Sequence, residues 1–295
     1  MGTVAPDPTY LDWGVMTDPG RQADLLAPLP DGVGELVRVG HGLLIHEYMT
    51  GMYGVELSLT ARTEVQVRPM ERRLQLLREA DGRPLTAPRE PARRQAADCR
   101  HYSVQLVTFL RSKGIPARAR CGFGWYFDTG HGEDHWVCEC WLAAERRWVL
   151  VDGQIDEVQQ KVFHPDFDLL DVPRDRFEVA GDAWRACRRG QADPNVYGLT
   201  VIDEFGLWWV AANLVRDAAS LSGMEMMPWD VWGAMPKPAD TIPEADLELF
   251  DRVAALTADP AADLTELRTL VAAEPRLRVP TTVFNANLRR REPVP

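Results

Sequence analysis

The hydrophobic period of the chain changes at Gly114, and that change constrains the fold more than any other feature of the sequence. Before it, Tyr102, Leu106, Phe109 and Leu110 recur at helical spacing. Asp98 is placed to cap this helix, which begins at Cys99, has Lys113 in its last turn and stops at Gly114, with Pro116 close behind. After Gly114 the period is two. Ala117–Phe127 sets Ala119, Cys121, Phe123, Trp125 and Phe127 on one face and Arg118, Arg120 and Tyr126 on the other. Asp128–Asp134 reads as a turn-rich loop. His135–Leu142 and Arg147–Asp152 read as two further strands around the turn Ala143–Arg146. A helix followed by an antiparallel hairpin predicts an α+β fold.

The hairpin fixes a register. Leu142 pairs with Arg147, Trp141 with Trp148, and Val137 with Asp152. His135 and Val137 share a strand face, so His135 and Asp152 become diagonal neighbours, within reach for a carboxylate to hold an imidazole. A slip of one residue would put them on opposite faces. Trp136, Cys138, Cys140 and Leu142 form the apolar face, leaving His135 and Glu139 on the other. Cys99, His135 and Asp152 thus stand in the order of a thiol nucleophile, a general base and acid, and an orienting carboxylate. A thiol attacks as its thiolate, which a helix start favours through the macrodipole and its unpaired N–H groups. The same N–H groups suit the oxyanion of a tetrahedral intermediate. Asp98 opposes the thiolate by its own charge, so a nearby imidazolium must dominate.

Residues 98–156 resemble the core of the transglutaminase-like superfamily. The match is carried by Cys99 at a helix start, the run Gly114-Ile115-Pro116-Ala117-Arg118, the pair His135-Trp136, and Trp148 with Asp152. The chain looks more like bacterial members of unassigned substrate than the large animal cross-linking enzymes, since no calcium loop and no added β-sandwich domains are visible. The resemblance implies a papain-like core, with the nucleophile helix packed on an antiparallel sheet. It implies a Cys-His-Asp triad and acyl transfer from an amide or thioester to the cysteine, then to an amine or to water, with no cofactor. Members include protein cross-linkers, deamidases, peptidases, glycopeptide amidases and amide-forming enzymes. A rival from another class is a catalytically silent binding module that keeps the fold.

Weaker candidates surround the triad. Gln95 stands where papain-like proteases have a glutamine that donates to the oxyanion; Trp136 would wall the site, and Gln154 follows Asp152 on the same strand face. Trp136 and Gln154 also read as plain packing. His101 faces away from Cys99 on the same helix and reads as surface or supporting. His131, His135, Cys138 and Cys140 form a zinc-like run, but adjacent strand residues point to opposite faces, so no metal site is expected. Cys138 and Cys140 read as small buried hydrophobes. The Met224–Met235 stretch reads as core before pocket lining, and Arg216-Asp217 as an ion pair.

Composition narrows the partners. The formal net charge of −11 gives no general attraction to nucleic acid or an anionic membrane. The longest apolar stretch, Gly206–Val215, falls short of the ~20 residues a bilayer requires. The N-terminus lacks a basic start and an apolar region, and Pro6 stands where a myristoylated Gly2 would need Ser or Thr. Five cysteines, an odd number, read as free thiols in a reducing cytoplasm. The expected substrate is a small-molecule, peptide or carrier-bound acyl group; oligomeric state is left open.

Elsewhere, residues 1–30 read as an irregular arm. Helices are predicted from Gly32 to about Met52 and over Met70–Ala80, with a loop at Gly82–Pro91. The chain reads as irregular from Gly153 through Pro173. Helices resume at Gly181–Arg189, Leu207–Leu221, Glu244–Ala258 and Asp263–Ala273, and the tail from Arg289 reads as frayed. No low-complexity linker separates a second domain. The expected organisation is one domain over residues 1–295, with a catalytic core at 98–156 and a helical extension at 157–288.

Overall fold

A computed structural model describes residues 6–238, 240–259 and 263–295. Gly2 lies outside them. The chain is α+β and divides into two compact units, one formed by residues 1–119 and 137–172, the other by 120–136 and 173–295. The division cuts through the 98–156 segment rather than falling after it.

In the first unit the helices are α1 (Val33–Leu43), α2 (Leu59–Glu64), α3 (Met70–Ala80), α4 (Cys99–Ser112) and α5 (Glu157–Phe163). Its strands are β1 (Leu44–His46), β2 (Gln95–Ala97), the beginning of β3 (Ala117–Gly124), most of β4 (Gly132–Leu142) and β5 (Arg147–Val151). The helix expected to run from Gly32 to Met52 ends early. Gly40 and Gly42 weaken its last turn, and Leu44-Ile45-His46 becomes a fully buried strand, paired in parallel with Gln95-Ala96-Ala97. A strand buried on both faces has no alternation to reveal it. α5 was also not expected; Asp156 caps it by accepting from the N–H groups of Val158 and Gln159.

α3 has the predicted limits, and α4 begins and ends as its cap, Lys113 and Gly114 require. Gly114 has φ +72°, the left-handed conformation that glycine adopts without strain. All of α4 from Cys99 to Arg111 is buried, so its apolar stripe understates how deeply it sits. α1 and α3 pack against it.

The second unit contains α6 (Ala180–Arg188), α7 (Leu207–Leu221), α8 (Glu244–Thr257) and α9 (Thr265–Ala273), close to their predicted limits. The expected helical extension is not wholly helical. Among the described residues five short strands interrupt it, β6 (Phe177–Val179), β7 (Tyr197–Leu199), β8 (Glu204–Phe205), β9 (Asp230–Val231) and β10 (Thr282–Asn285), and β11 (Arg290–Pro293) follows it. β6 pairs antiparallel with the end of β3, and β7 pairs parallel with the start of β4. The tail is no frayed end. β11 forms a hairpin with β10, turned at Arg289 with φ +51° and fastened by Asn285 to Glu292. α6, α7 and α8 pack together around Trp184 and Phe250. Met226, Met227, Trp229, Trp232 and Met235 are buried, so the Met-Trp stretch lies in the core. Arg216 and Asp217 do not pair with each other; Arg216 donates to Asn213 and to the Asp230 carbonyl, while Asp217 receives Arg120.

Candidate active site

In the first unit, the pairing of β1 with β2 delivers the chain to Asp98, the cap of α4. Asp98 Oδ1 accepts from the His101 N–H at 3.0 Å, and His101 Nδ1 accepts from the Asp98 N–H at 3.1 Å. This reciprocal box closes two of the donors that a helix start leaves open. His101 is therefore not a surface residue; it is 1% exposed, and its Nε2 lies 3.1 Å from the Val67 carbonyl. A charged ring would donate to both Val67 and Asp98 Oδ1, which lies 2.7 Å from Nδ1. Burial acts against that charge, holding the pKa down to about 4 against the pull of Asp98.

Cys99 follows as the first residue of α4, with 7% exposure. Arginines fasten the backbone around it: Arg73 donates to the carbonyls of Ala96 and Glu64, and Arg100 to that of Arg68. Gln95 donates from Nε2 to the Arg73 carbonyl at 3.3 Å, which commits one amide hydrogen to α3.

Asp152 lies just past β5. The observed register pairs Leu142 with Arg147, Trp141 with Trp148 and Cys138 with Val151, as the hairpin predicts, so the next position opposes Asp152 to Val137. The Asp152 N–H donates to the Leu169 carbonyl at 2.8 Å, and Oδ1 accepts from the N–H groups of Gln154 (2.8 Å) and Ile155 (3.3 Å). The loop is pressed against α4, since a Cβ on Gly153 would lie 3.4 Å from Leu106 Cδ2 and 3.7 Å from the Tyr102 carbonyl. Gln154 donates to Gln159 Oε1, and Gln159 donates to the Tyr53 hydroxyl. The first unit thus holds Cys99, Asp152, Gln95 and Gln154.

The second unit holds His135 and Trp136. His135 lies two residues before Val137 on β4, on the same strand face. It is 2% exposed, ringed edge-on by Tyr126, Phe127 and Phe177 at centroid distances of 6.0, 4.9 and 6.2 Å. Its neighbours anchor the strand: Asp134 accepts from Trp209 Nε1 (3.0 Å) and Asn213 Nδ2 (3.1 Å), and Glu133 from Thr200. Trp136 is 1% exposed, and its Nε1 has no hydrogen-bond partner among the described residues.

Residues 75–153 match the family model of the transglutaminase-like superfamily. The chain carries a transglutaminase-like domain. The matched span contains α4 with Cys99, the β4–β5 hairpin with His135, and Asp152. No curated protein matches the chain, and no solved structure does. The superfamily is typically one of cysteine-based acyl transfer.

Cys138 and Cys140 are fully buried, and burial pushes both thiols up, that of Cys140 to about 12. Among the described residues, no group of three or more His, Cys, Asp or Glu side chains is placed to hold a metal ion. No helix there is long and apolar enough to cross a membrane.

Two polar residues escaped sequence reading. His41 on α1 has its pKa lowered by burial, against the pull of Asp156, Asp152 and the Gly153 backbone, and its Nε2 has no partner among the described residues. Glu47 follows β1, level with Asp98. Its one sequence signal was a carboxylate two positions after the apolar run Leu43-Leu44-Ile45.

Proposed function

We propose that the chain is a cysteine-dependent acyl transferase or amidohydrolase. Cys99 attacks the carbonyl carbon of an amide or thioester, and the leaving group departs with a proton from His135. The thioacyl-enzyme then passes its acyl group to an amine or to water, with His135 taking the proton of the attacking group. Asp152 orients His135 and supports its imidazolium. The observation that carries this reading is Cys99 itself: the first residue of a capped helix within the span matched to a cysteine-based acyl-transfer superfamily. The substrate is an acyl group on a small molecule, peptide or carrier, and the protein acts in the cytoplasm without a cofactor, nucleic acid or membrane.

Thiol-reactivity profiling tests the reading. Iodoacetamide near neutral pH should alkylate Cys99 far faster than Cys121, Cys138, Cys140 and Cys187, read by peptide mass spectrometry. A Cys99 no faster than Cys187 would favour the silent binding module.

A further inference from the structure

Glu47 continues the parallel register of β1 and β2. Its N–H donates to the Ala97 carbonyl at 2.8 Å, one step beyond the His46–Ala97 pair, so Glu47 is level with Asp98 and adjoins the start of α4. Two buried acceptor oxygens here have no hydrogen-bond partner among the described residues: Glu47 Oε1 and Asp98 Oδ2. Asp98 is 3% exposed, and leaving such an acceptor unmet is costly. Two orphaned acceptors beside a nucleophile are suited to a positively charged N–H donor.

We propose that Glu47 is a further catalytic residue, taking the proton that an ammonium-bearing acyl acceptor must lose before its nitrogen attacks the thioacyl group on Cys99. The inference rests on the reading of Cys99 as nucleophile. An alkylammonium has no lone pair with which to attack. One proton passes to the Glu47 carboxylate and frees the amine. The nitrogen lone pair forms the C–N bond, the C–S bond breaks, and Cys99 leaves as thiolate. A second proton passes from the nitrogen to His135, restoring the imidazolium, and Glu47 returns its own proton to water. His135 alone accepts only one of the two protons. The surroundings suit the task. Burial, then the charge of Asp98 from the β2–α4 junction, push the Glu47 carboxyl up to about 7, against a smaller downward pull from Arg62 on α2. A base with a pKa near the working pH exchanges protons most effectively.

The test compares two amines on one acyl-enzyme. The full chain is acetylated with p-nitrophenyl acetate, and loss of acetyl from Cys99 is followed by mass spectrometry with n-butylamine or hydroxylamine. Hydroxylamine is already uncharged at neutral pH and needs no first deprotonation. Glu47→Gln should leave acetylation and the hydroxylamine reaction at wild-type rates, and slow the butylamine reaction on the order of 10²-fold. Glu47→Asp should restore part of that loss. In the wild type, the butylamine rate should rise as pH approaches about 7 and level off above it, whereas attack by amine already free in solution keeps rising with pH, and Glu47→Gln should show only that second behaviour. Equal slowing of both amines would make Glu47 a structural residue and overturn the inference, as would an unchanged butylamine rate. A wild-type protein that never carries acetyl on Cys99 would overturn the thioacyl reading and this inference with it.

Discussion

Arg118 and Arg120 on β3, and Asp98 and Glu47 beside the start of α4, are all ionisable groups drawn away from water, but their surroundings differ. In the first unit, Arg118 meets Glu139 at 2.6 Å and lies 4.2 Å over the Trp148 ring. In the second, Arg120 meets both oxygens of Asp217, at 3.0 and 2.9 Å, and donates to the Thr257 carbonyl, while Asp217 also accepts the Cys121 N–H. These networks are closed by bidentate and stacked geometry. At the helix start, Asp98 Oδ2 and Glu47 Oε1 have no hydrogen-bond partner among the described residues, nor has Gln154 Oε1 beyond Asp152. The difference separates two uses of burial. A closed network specifies and holds the fold, whereas an open one keeps its acceptors for something that arrives.

If the comparison holds, variants of the open region lose activity and variants of the closed region lose stability. Cys99→Ala should lower acyl transfer by a factor of about 10⁴ or more, leaving thermal unfolding nearly unmoved, because the thiol contributes little packing. Acyl-probe kinetics and a melting curve check both halves. Asp152→Asn should cost less than Cys99→Ala, at most about 10⁴-fold in kcat. Its amide oxygen still accepts the Gln154 N–H but loses the charge that supports an imidazolium, and an unaffected variant would remove Asp152 from the triad. Asp217→Ala should leave Arg120 buried without its carboxylate and cost about 3–5 kcal/mol in urea unfolding. The alkylation rate of Cys99 in the folded variant should stay at the wild-type value.

The smallest effect crosses the comparison. The Glu47 carboxyl is raised from 4.5 to about 7 in the folded state, so the folded protein binds this proton more tightly than the unfolded chain. Its contribution favours folding below pH 4.5 and is lost as pH rises to about 7. Glu47→Gln should therefore gain on the order of 1–2 kcal/mol over the wild type above that range and nothing below it. Urea titrations at the two ends of the range measure it. A variant no more stable at high pH would mean that the open acceptors cost the fold nothing.

The legible parts of the sequence were those with a local signature. Asp98, Lys113 and Gly114 bracket α4 by capping chemistry, and the Leu142–Arg147 turn fixes the β4–β5 register from four residues. β1 escaped because a three-residue strand buried throughout shows no period, and with it went Glu47, whose setting depends on a parallel partner far along the chain. His101 was misread for a similar reason: helical phase points it away from Cys99, but its cap with Asp98 draws it inward. Arg120 and Asp217 are nearly a hundred positions apart, and no spacing rule links them.

β3 passes from the first unit to the second between Ala119 and Arg120, β4 returns between Trp136 and Val137, and the chain crosses again after Val172. Neither unit is therefore a contiguous piece of gene. Exchanging one of them between related sequences would need breakpoints inside two strands as well as a third at Pro173. Recombination is a poor route to new specificity in such a chain. Such a chain is expected to change through point substitutions, with the strands on either side of each crossing staying fixed.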